Sequence, residues 1–463
     1  DAGRATGVLV DNAMDAVFAA MPADTDGNVL LPNDNNYIIL RGNTRNTDLN
    51  LKVLKSGDAE INTYRVATGH LDVQSGATLT LEAGVNLKFD NNLRMHIYDG
   101  VLDVQGTVDE RVVITSVYDS IAGTHTANGD LRNGLWYGVY LASPSTATVA
   151  YMDLRYAGYN AAAIEMNGDL TANNLRISRT GADYAIEVNN NKALVLSDSE
   201  IYGGHSTGIY CSSGLSVTVS NSRIYANSSN GLDFRSNCLG SISNSEIFGN
   251  LGWGVYAGGT EIIAAESNWW GAADGPGGEG PGSGDAVSTN VDYEVLVGDG
   301  WLADGSAFSY FDAGPNTGKG GLPLPVVTSG TSTMEWGTGS DRSAIYDLDQ
   351  IVLTYNALPA DKRYDLLMSV YNADNTSGIG GNRQSLSTAA GDINNSEQLA
   401  DTNLRLYRHA LPADANQAGT FTLNIDRDNG YRAVVQRLWL VEQASTDTTA
   451  PTVSISAPTA GSH

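Results

Sequence analysis

Between Tyr159 and Gly271 the chain repeats one short unit five times. The cores read AIEM at 163–166, AIEV at 185–188, GIYC at 208–211, GLDF at 231–234 and GVYA at 254–257. Their second residues, Ile164, Ile186, Ile209, Leu232 and Val255, are separated by 22, 23, 23 and 23 positions. A second apolar series keeps step: Ile177, Ile201, Ile224, Ile247 and Trp270. A period this constant is the signature of a solenoid, whose repeats bury their apolar faces against one another.

The pattern inside each repeat selects the kind of solenoid. Ile186 and Val188 flank Glu187, and Leu232 and Phe234 flank Asp233. Alternation with period two means strand. Each repeat holds two or three such short runs between Gly, Asn and Ser, and none is long enough for a helix. Stacking the coils pairs each strand with its equivalent one repeat away, at about 4.8 Å. The expected fold is all-β, a parallel β-helix with like residues stacked in its core.

Other rows run in the same register. Asp198, Asn221 and Asn244 recur in LSDSEI, VSNSRI and ISNSEI, and are expected at an inward turn where stacked polar side chains satisfy one another. Glu200, Arg223 and Glu246 alternate in sign on neighbouring coils, and Tyr202, Tyr225 and Phe248 form an aromatic column. Both are read as scaffold, by the logic of cross-strand pairs.

Three passages carry a resemblance. SNWWGAADGPGGEGPGSGDAVSTNVDYEVLV at 267–297 is similar to the closing coil of right-handed parallel β-helices in secreted and surface bacterial proteins. LDVQSGATLTLEAGVNLKF at 71–89 and GVLDVQGTVDERVVITS at 100–116 resemble early coils of the same family. The resemblance covers roughly residues 40 to 300 and implies the fold. It leaves function open, because the fold carries pectin and alginate lyases, glycosidases, adhesins and surface proteins.

The charge narrows the partners. Fifty-two acidic residues stand against 26 basic ones, a net charge of −26, and only six of the basic residues are Lys. This argues against nucleic acid and anionic membranes, and against strongly anionic polysaccharide unless calcium bridges the charges. No run of eighteen apolar residues spans a bilayer. The opening DAGRATG shows no signal peptide and suits a mature secreted form.

The N-terminal segment, residues 1–39, reads as a cap. In DNAMDAVFAAMP, Met14, Val17, Phe18 and Met21 fall at helical spacing over about 11–21, with Asp11 or Asn12 to cap and Pro22 to stop. Such a helix would cover an open end of the β-helix; a partner-binding helix is the alternative. In ADTDGN, Asp24, Asp26 and Asn28 place oxygens at alternate positions, as structural Ca2+ loops do. The pattern departs from an EF-hand, so a solvated turn competes with the metal reading.

The β-helix is expected over 40–300. SVYDSIAGTHTANGDLRNG at 116–134 breaks its rhythm, and such excursions often shape a cleft; LWYGVYLA at 135–142 rejoins it. Cys211 takes an inward slot between Val188 and Phe234, and Cys238 falls in register with Leu215, which is also read as inward. They read as two buried small hydrophobes, with a disulfide across one coil as the alternative.

Longer alternating strands follow over 306–445, an antiparallel β-sandwich. DRDNG at 426–430 is expected to join its last two strands as a hairpin. AVVQRLWLVE resembles galactose-binding-like jelly-roll modules, which implies carbohydrate binding and a structural calcium ion. Residues 446–463 resemble a linker and the first strand of a bacterial immunoglobulin-like repeat, implying further domains.

The outward residues of the repeat align as Tyr140, Glu165, Glu187, Tyr210, Asp233 and Tyr256, with Asn167, Asn189, Ser212 and Arg235 two positions on. Aromatic rings stack on the apolar faces of pyranoses, while carboxylates and amides bond hydroxyls. Glu165, Glu187, Tyr210, Asp233, Arg235 and Tyr256 are therefore the candidate ligand-binding residues; an ordinary solvated face is the bland alternative. Glu165 and Glu187, about one strand spacing apart, would suit a retaining glycosidase pair. Polygalacturonase signatures are absent, and GGHSTG around His205 is only an echo of them. Arg155, Arg179 and Arg235 are candidate neutralisers for a lyase, without assigned partners.

The expected function is an extracellular carbohydrate-binding adhesin or cell-surface component. The alternatives are a polysaccharide lyase or glycoside hydrolase, and a structural subunit of a surface filament or layer that assembles end to end.

Overall fold

The structure is a computed structural model. It describes residues 9–10, 37–41, 44–56, 59–123, 134–181, 183–213, 215–294, 301–313, 317–329, 332–335, 343–370, 383–398, 405–412, 414–416, 418–430 and 432–443. The expected helix at 11–21, the proposed calcium residues Asp24, Asp26 and Asn28, and the tail at 446–463 lie outside these residues. Among the described residues every regular element is a strand, and no helix is long and apolar enough to cross a membrane.

Three parallel sheets of 10, 11 and 10 strands wind together into the β-helix. One coil contributes Arg176–Ser178 to the first face, Ile186–Val188 to the second and Ala193–Ser197 to the third. The next coil starts at Glu200–Tyr202, paired residue for residue with Arg176–Ser178. The core follows the alternation: Ile164, Ile186, Ile209, Leu232 and Val255 stack on the second face, all buried. Ile177, Ile201, Ile224, Ile247 and Trp270 are buried in the same core. Such burial is worth about 1.5–3 kcal/mol per large side chain, which explains why the repeat tolerates Leu or Val for Ile but not a polar residue.

The polar corner departs from expectation by one residue. Asp198, Asn221 and Asn244 are exposed, and each holds a positive φ of 51°, 48° and 49°. Their short polar side chains tolerate the left-handed turn that starts the next strand. The inward position belongs to the following residue. Leu175 N donates to Ser199 Oγ at 3.0 Å, Ser199 N to Ser222 Oγ at 3.1 Å, and Ser222 N to Ser245 Oγ at 3.1 Å. Ser245 N ends this ladder on Asn268 Oδ1 at 2.9 Å.

A second buried ladder has no counterpart in the sequence reading. Gly204 N donates to Asn227 Oδ1, Asn227 N and Nδ2 donate to Asn250 Oδ1, and Asn250 Nδ2 donates to Asp285 Oδ2, all within 3.2 Å. Lys319 Nζ reaches in from the C-terminal region to Asp285 Oδ1 at 3.1 Å.

Cys211 and Cys238 form a disulfide, Cα–Cα 6.2 Å, that ties one coil to the next; they are not free apolar fillers. Cys211 pairs in register with Phe234, so Cys238, four residues further on, comes round beside it. Leu215 is not inward: it is 55% exposed, although it holds the same register as Cys238. The turn between strands, unlike the strands, does not fix which way a side chain faces.

In the last coil each residue of NWWG has a task. Asn268 ends the serine ladder and Trp270 fills the core. Trp269 Nε1 donates to Ser306 O across the junction with the C-terminal region. Gly271 has φ +88°, and a Cβ there would meet Phe308 at 2.8 Å, so only glycine fits.

Beyond the β-helix, two five-stranded antiparallel sheets face each other across a separate core. One contains Phe308–Asp312, Tyr364–Val370 and Arg437–Glu442; the other contains Gln350–Tyr355, Arg383–Thr388 and Phe421–Asn429. The DRDNG segment is not a hairpin. Phe421–Asn429 pairs with Gln350–Tyr355 and Arg383–Thr388, while Arg437–Glu442 lies in the opposite sheet. The chain passes from the turn into Ala433–Val435, which pairs with Ser343–Asp347 in a small third sheet, before it enters the opposite sheet; a turn signal cannot distinguish this from a return along the same sheet.

Tyr364–Val370 is buried at every position because its sheet is covered on both sides. Leu366, Met368 and Val370 face the sandwich core. Leu367, Trp439 and Val441 face the β-helix, where they join Tyr225, Phe248, Trp269 and Phe308. Tyr202, Tyr225 and Phe248 stack at 5.1 and 5.0 Å, as the register predicts. Trp439 Nε1 donates to Gly249 O at 3.0 Å. Arg223 bridges Glu200 at 3.1 Å and Glu246 at 2.9 Å. These rows are scaffold, and the first face is where the two units meet.

Candidate functional site

The second face carries one outward column across eight coils: Asp72, His96, Tyr140, Glu165, Glu187, Tyr210, Asp233 and Tyr256, each paired in register with the next. Seven strand spacings make it roughly 34 Å long. All six residues predicted to bind ligand lie on or beside it. The column exists because inward positions are fixed by the core, which leaves every intervening residue on the outer surface.

At the downstream end, Arg235 grips Asp233 with two hydrogen bonds, Nε to Oδ1 at 2.6 Å and Nη2 to Oδ2 at 2.9 Å. Its guanidinium lies 4.5 Å from the centroid of the Tyr256 ring. Asp233 faces outward but is buried, because Arg235 and Asn230 cover it. Tyr210 is not an isolated platform: Tyr184 stacks on it at 4.1 Å with 10° between the planes. Trp253 tilts against Tyr256 at 5.8 Å. Asn189 accepts from Ser212, and Asn167 accepts from Asn190, so these polar groups are partly engaged with one another.

In the centre the two glutamates differ. Glu165 is held by Arg94, Nη2 to Oε2 at 2.5 Å. Burial pushes the Glu187 carboxyl above its ordinary value, against a hydrogen bond from Asn189 and with Glu165 adding to the rise. At the upstream end His96 Nδ1 meets Asp72 Oδ1 at 2.7 Å. Burial lowers the His96 pKa although Asp72 favours the cation. The carboxylate fixes the proton on Nδ1 and leaves Nε2 as an acceptor. Tyr98 and Tyr140 pack around this imidazole at 5.1 and 5.8 Å, and Arg94 lies 4.8 Å over Tyr140.

Asp72, Arg94, His96, Tyr98, Tyr184 and Trp253 join the predicted residues on this face. A signal for the first four was present: LDV at 71–73 and MHI at 95–97 are 24 residues apart and carry the same core alternation. The excursion lengthens the next step to 44 residues, from His96 to Tyr140, and hides the continuity. Tyr184 and Trp253 sit two residues before their strands, where alternation is no guide. Arg155 and Arg179 lie on the first face with the junction, away from the column. His205 is an exposed turn residue. Among the described residues, no three His, Cys, Asp or Glu side chains are gathered to hold a metal ion.

No curated protein matches the chain in sequence. Among solved structures, it is similar to the enzymatically active domain of tailspike protein 4 of bacteriophage CBA120, at 11% identity and a TM-score of 0.23, over 82% of this chain and 64% of that one. It is also similar to full-length tailspike protein 2 from Escherichia coli O157:H7 bacteriophage CAB120, at 10% identity and a TM-score of 0.24, over 87% of this chain and 64% of that one. The chain thus spans less than two thirds of either protein, and at these values the likeness bears on neither activity nor ligand. Residues 117–269 match the family model described as right handed beta helix region, and with the parallel coils on either side this makes the solenoid a right-handed parallel β-helix.

Proposed function

We propose that this chain is a carbohydrate-binding component of an extracellular surface, an adhesin whose glycan lies along the second face. One observation carries the reading: the unbroken outward column from Asp72 to Tyr256, with half-buried rings, carboxylates and guanidinium groups at a constant spacing. Rings and hydrogen-bonding groups at regular intervals suit a linear polymer of sugar rings. Four carboxylates stand on the column, with Arg94 and Arg235 bound to two of them, so the ligand it suits is neutral or weakly charged. The disulfide and the acidic balance support an oxidising, extracellular location. Further domains, and the galactose-binding-like character of the sandwich, belong to the same proposal.

A glycan array probed with the full chain tests this. Tyr210→Ala and Tyr256→Ala should weaken binding of the hits tenfold or more, since aromatic platforms are worth roughly 1–3 kcal/mol in the analogous base-stacking case. The melting temperature should hardly change, because both rings lie outside the core. If both variants bind the hits as well as the parent, the column is a solvated face and the sandwich becomes the site to test.

A polysaccharide-cleaving activity is the second reading. The unequal environments of Glu165 and Glu187 favour it, since a held carboxylate beside one whose pKa is raised is the arrangement that separates nucleophile from acid. Release of reducing ends or unsaturated uronates from the array hits would decide for it.

Calcium at Asp24, Asp26 and Asn28 is also a proposal. Chelation with EDTA should lower the melting temperature, because an ion that binds only the folded chain stabilises it by mass action. An unchanged melt would remove calcium from the account.

A further inference from the structure

Two histidines stand together at the upstream end of the column, and the fold sets them in opposite tautomers. His96 lies on the strand Arg94–Ile97, in register with Asp72 on the strand Leu71–Val73. His70 comes one residue before that second strand, and its ring lies edge-on to that of His96 with centroids 5.0 Å apart. Asp72 Oδ1 accepts from His96 Nδ1 at 2.7 Å, which leaves His96 Nε2 as a bare acceptor. His70 is set the other way. The backbone amide of Arg94 donates to its Nδ1 at 3.0 Å, so its proton sits on Nε2 and makes that atom a donor. Among the described residues, neither Nε2 has a hydrogen-bond partner.

The surroundings hold this pair in place. Tyr98 and Tyr140 pack on the His96 ring at 5.1 and 5.8 Å. Arg94 joins the parts: its amide fixes His70, and its guanidinium lies over Tyr140 and holds Glu165. Burial, with smaller contributions from Arg94 and His70, lowers the His96 pKa against the pull of Asp72. The acceptor on His96 therefore survives at neutral pH. Tyr98 and His70 are exposed, so the pair opens to solvent beside an accessible ring.

One acceptor next to one donor restricts the ligand. A metal ion would need two bare nitrogens, and His70 offers a proton instead. An anion would need two donors, and His96 offers a lone pair backed by Asp72. A hydroxyl both donates and accepts, so two neighbouring hydroxyls on one sugar ring satisfy both atoms. One donates to His96 Nε2 and the other accepts from His70 Nε2.

We infer that His70 and His96 form a subsite for a neutral pyranose with two free adjacent hydroxyls, stacked on Tyr98. The inference rests on the column being a glycan site, and it names the unit bound at one end of it. Aromatic stacking supplies affinity there, and the histidines supply selectivity. A site built to bond a hydroxyl rejects the analogue that lacks it, so a unit esterified at these positions is excluded.

The test is NMR of the full chain with its six histidines labelled with nitrogen-15, at neutral pH, with His70→Phe and His96→Phe to assign the signals. In the free protein His96 should carry its proton on Nδ1 and His70 on Nε2. Neutral linear hexasaccharides of glucose, mannose and galactose are then titrated, with calorimetry for the affinities. At least one should bind and move the Nε2 signals of both rings. His96→Phe and His70→Phe should each weaken it at least fivefold, and His96→Gln, whose amide oxygen can accept, should restore part of the loss. His70→Phe should leave the melt unchanged, because that ring is exposed.

The same tautomer on both rings would overturn the subsite. So would binding that leaves both Nε2 signals and the affinities of both Phe variants unchanged. If Tyr210→Ala and Tyr256→Ala still weaken that binding, the column keeps its glycan and the subsite alone falls. If no hexasaccharide binds, the two fall together. Loss of binding in the histidine variants but not in the tyrosine variants would uphold the subsite and confine the glycan to the upstream end.

Discussion

Replacing Asn250 by alanine is expected to destabilise the β-helix by about 3–5 kcal/mol. The side chain is fully buried. Its Oδ1 accepts from the backbone and side-chain amides of Asn227, and its Nδ2 donates to Ile224 O and Asp285 Oδ2. Truncation strands several buried polar groups at once, and each costs about 1–3 kcal/mol when left unpaired. Asn250→Asp would keep the acceptor but place a second carboxylate beside Asp285, and should be no less harmful. Denaturant unfolding measures the loss. A change below about 1 kcal/mol for Asn250→Ala would mean that water takes over the amide's bonds, and the ladder would then be packing rather than a source of stability.

Reduction of the Cys211–Cys238 bridge is the second large effect. The bond closes a sequence separation of 27 residues, for which chain-entropy reasoning gives about 3–4 kcal/mol. The parent chain should melt lower in the presence of a reductant. Cys211→Ala/Cys238→Ala should melt near the reduced parent and ignore the reductant. If the parent's melt is insensitive to reductant after thiol labelling confirms reduction, the coil stack alone holds this region and the bridge adds nothing.

The sequence disclosed the parts of this fold that are governed by alternation. Ile186, Glu187 and Val188 could be assigned in, out and in because a strand allows only two directions, and the same logic gave the column its register. It was silent or misleading where a corner decides. The stacking of amides argues for an inward Asn221. At positive φ the corner turns it outward and hands the inward place to Ser222. Leu215 failed for the same reason, its turn leaving an apolar side chain in solvent. Long-range choices were equally hidden. No local pattern shows that the turn after Asn429 crosses between sheets, or that Arg408 swings into a cleft lined by residues two hundred positions earlier. The upstream half of the column was legible in principle through Asp72 and His96, but the excursion between coils broke the count.

A stack of coils behaves like a zipper with two free ends, since each coil is held only by its neighbours. Here the C-terminal end of the stack is clamped. Trp439, Phe308 and Lys319 fasten the sandwich to Gly249, Phe248 and Asn250, so the last coils can open only if a second unit lets go with them. Fraying is thereby given a direction. Thermal breathing and protease attack should reach the coils at the junction last. The coils around Asp233 and Tyr256, next to the clamp, would be the last to lose their spacing.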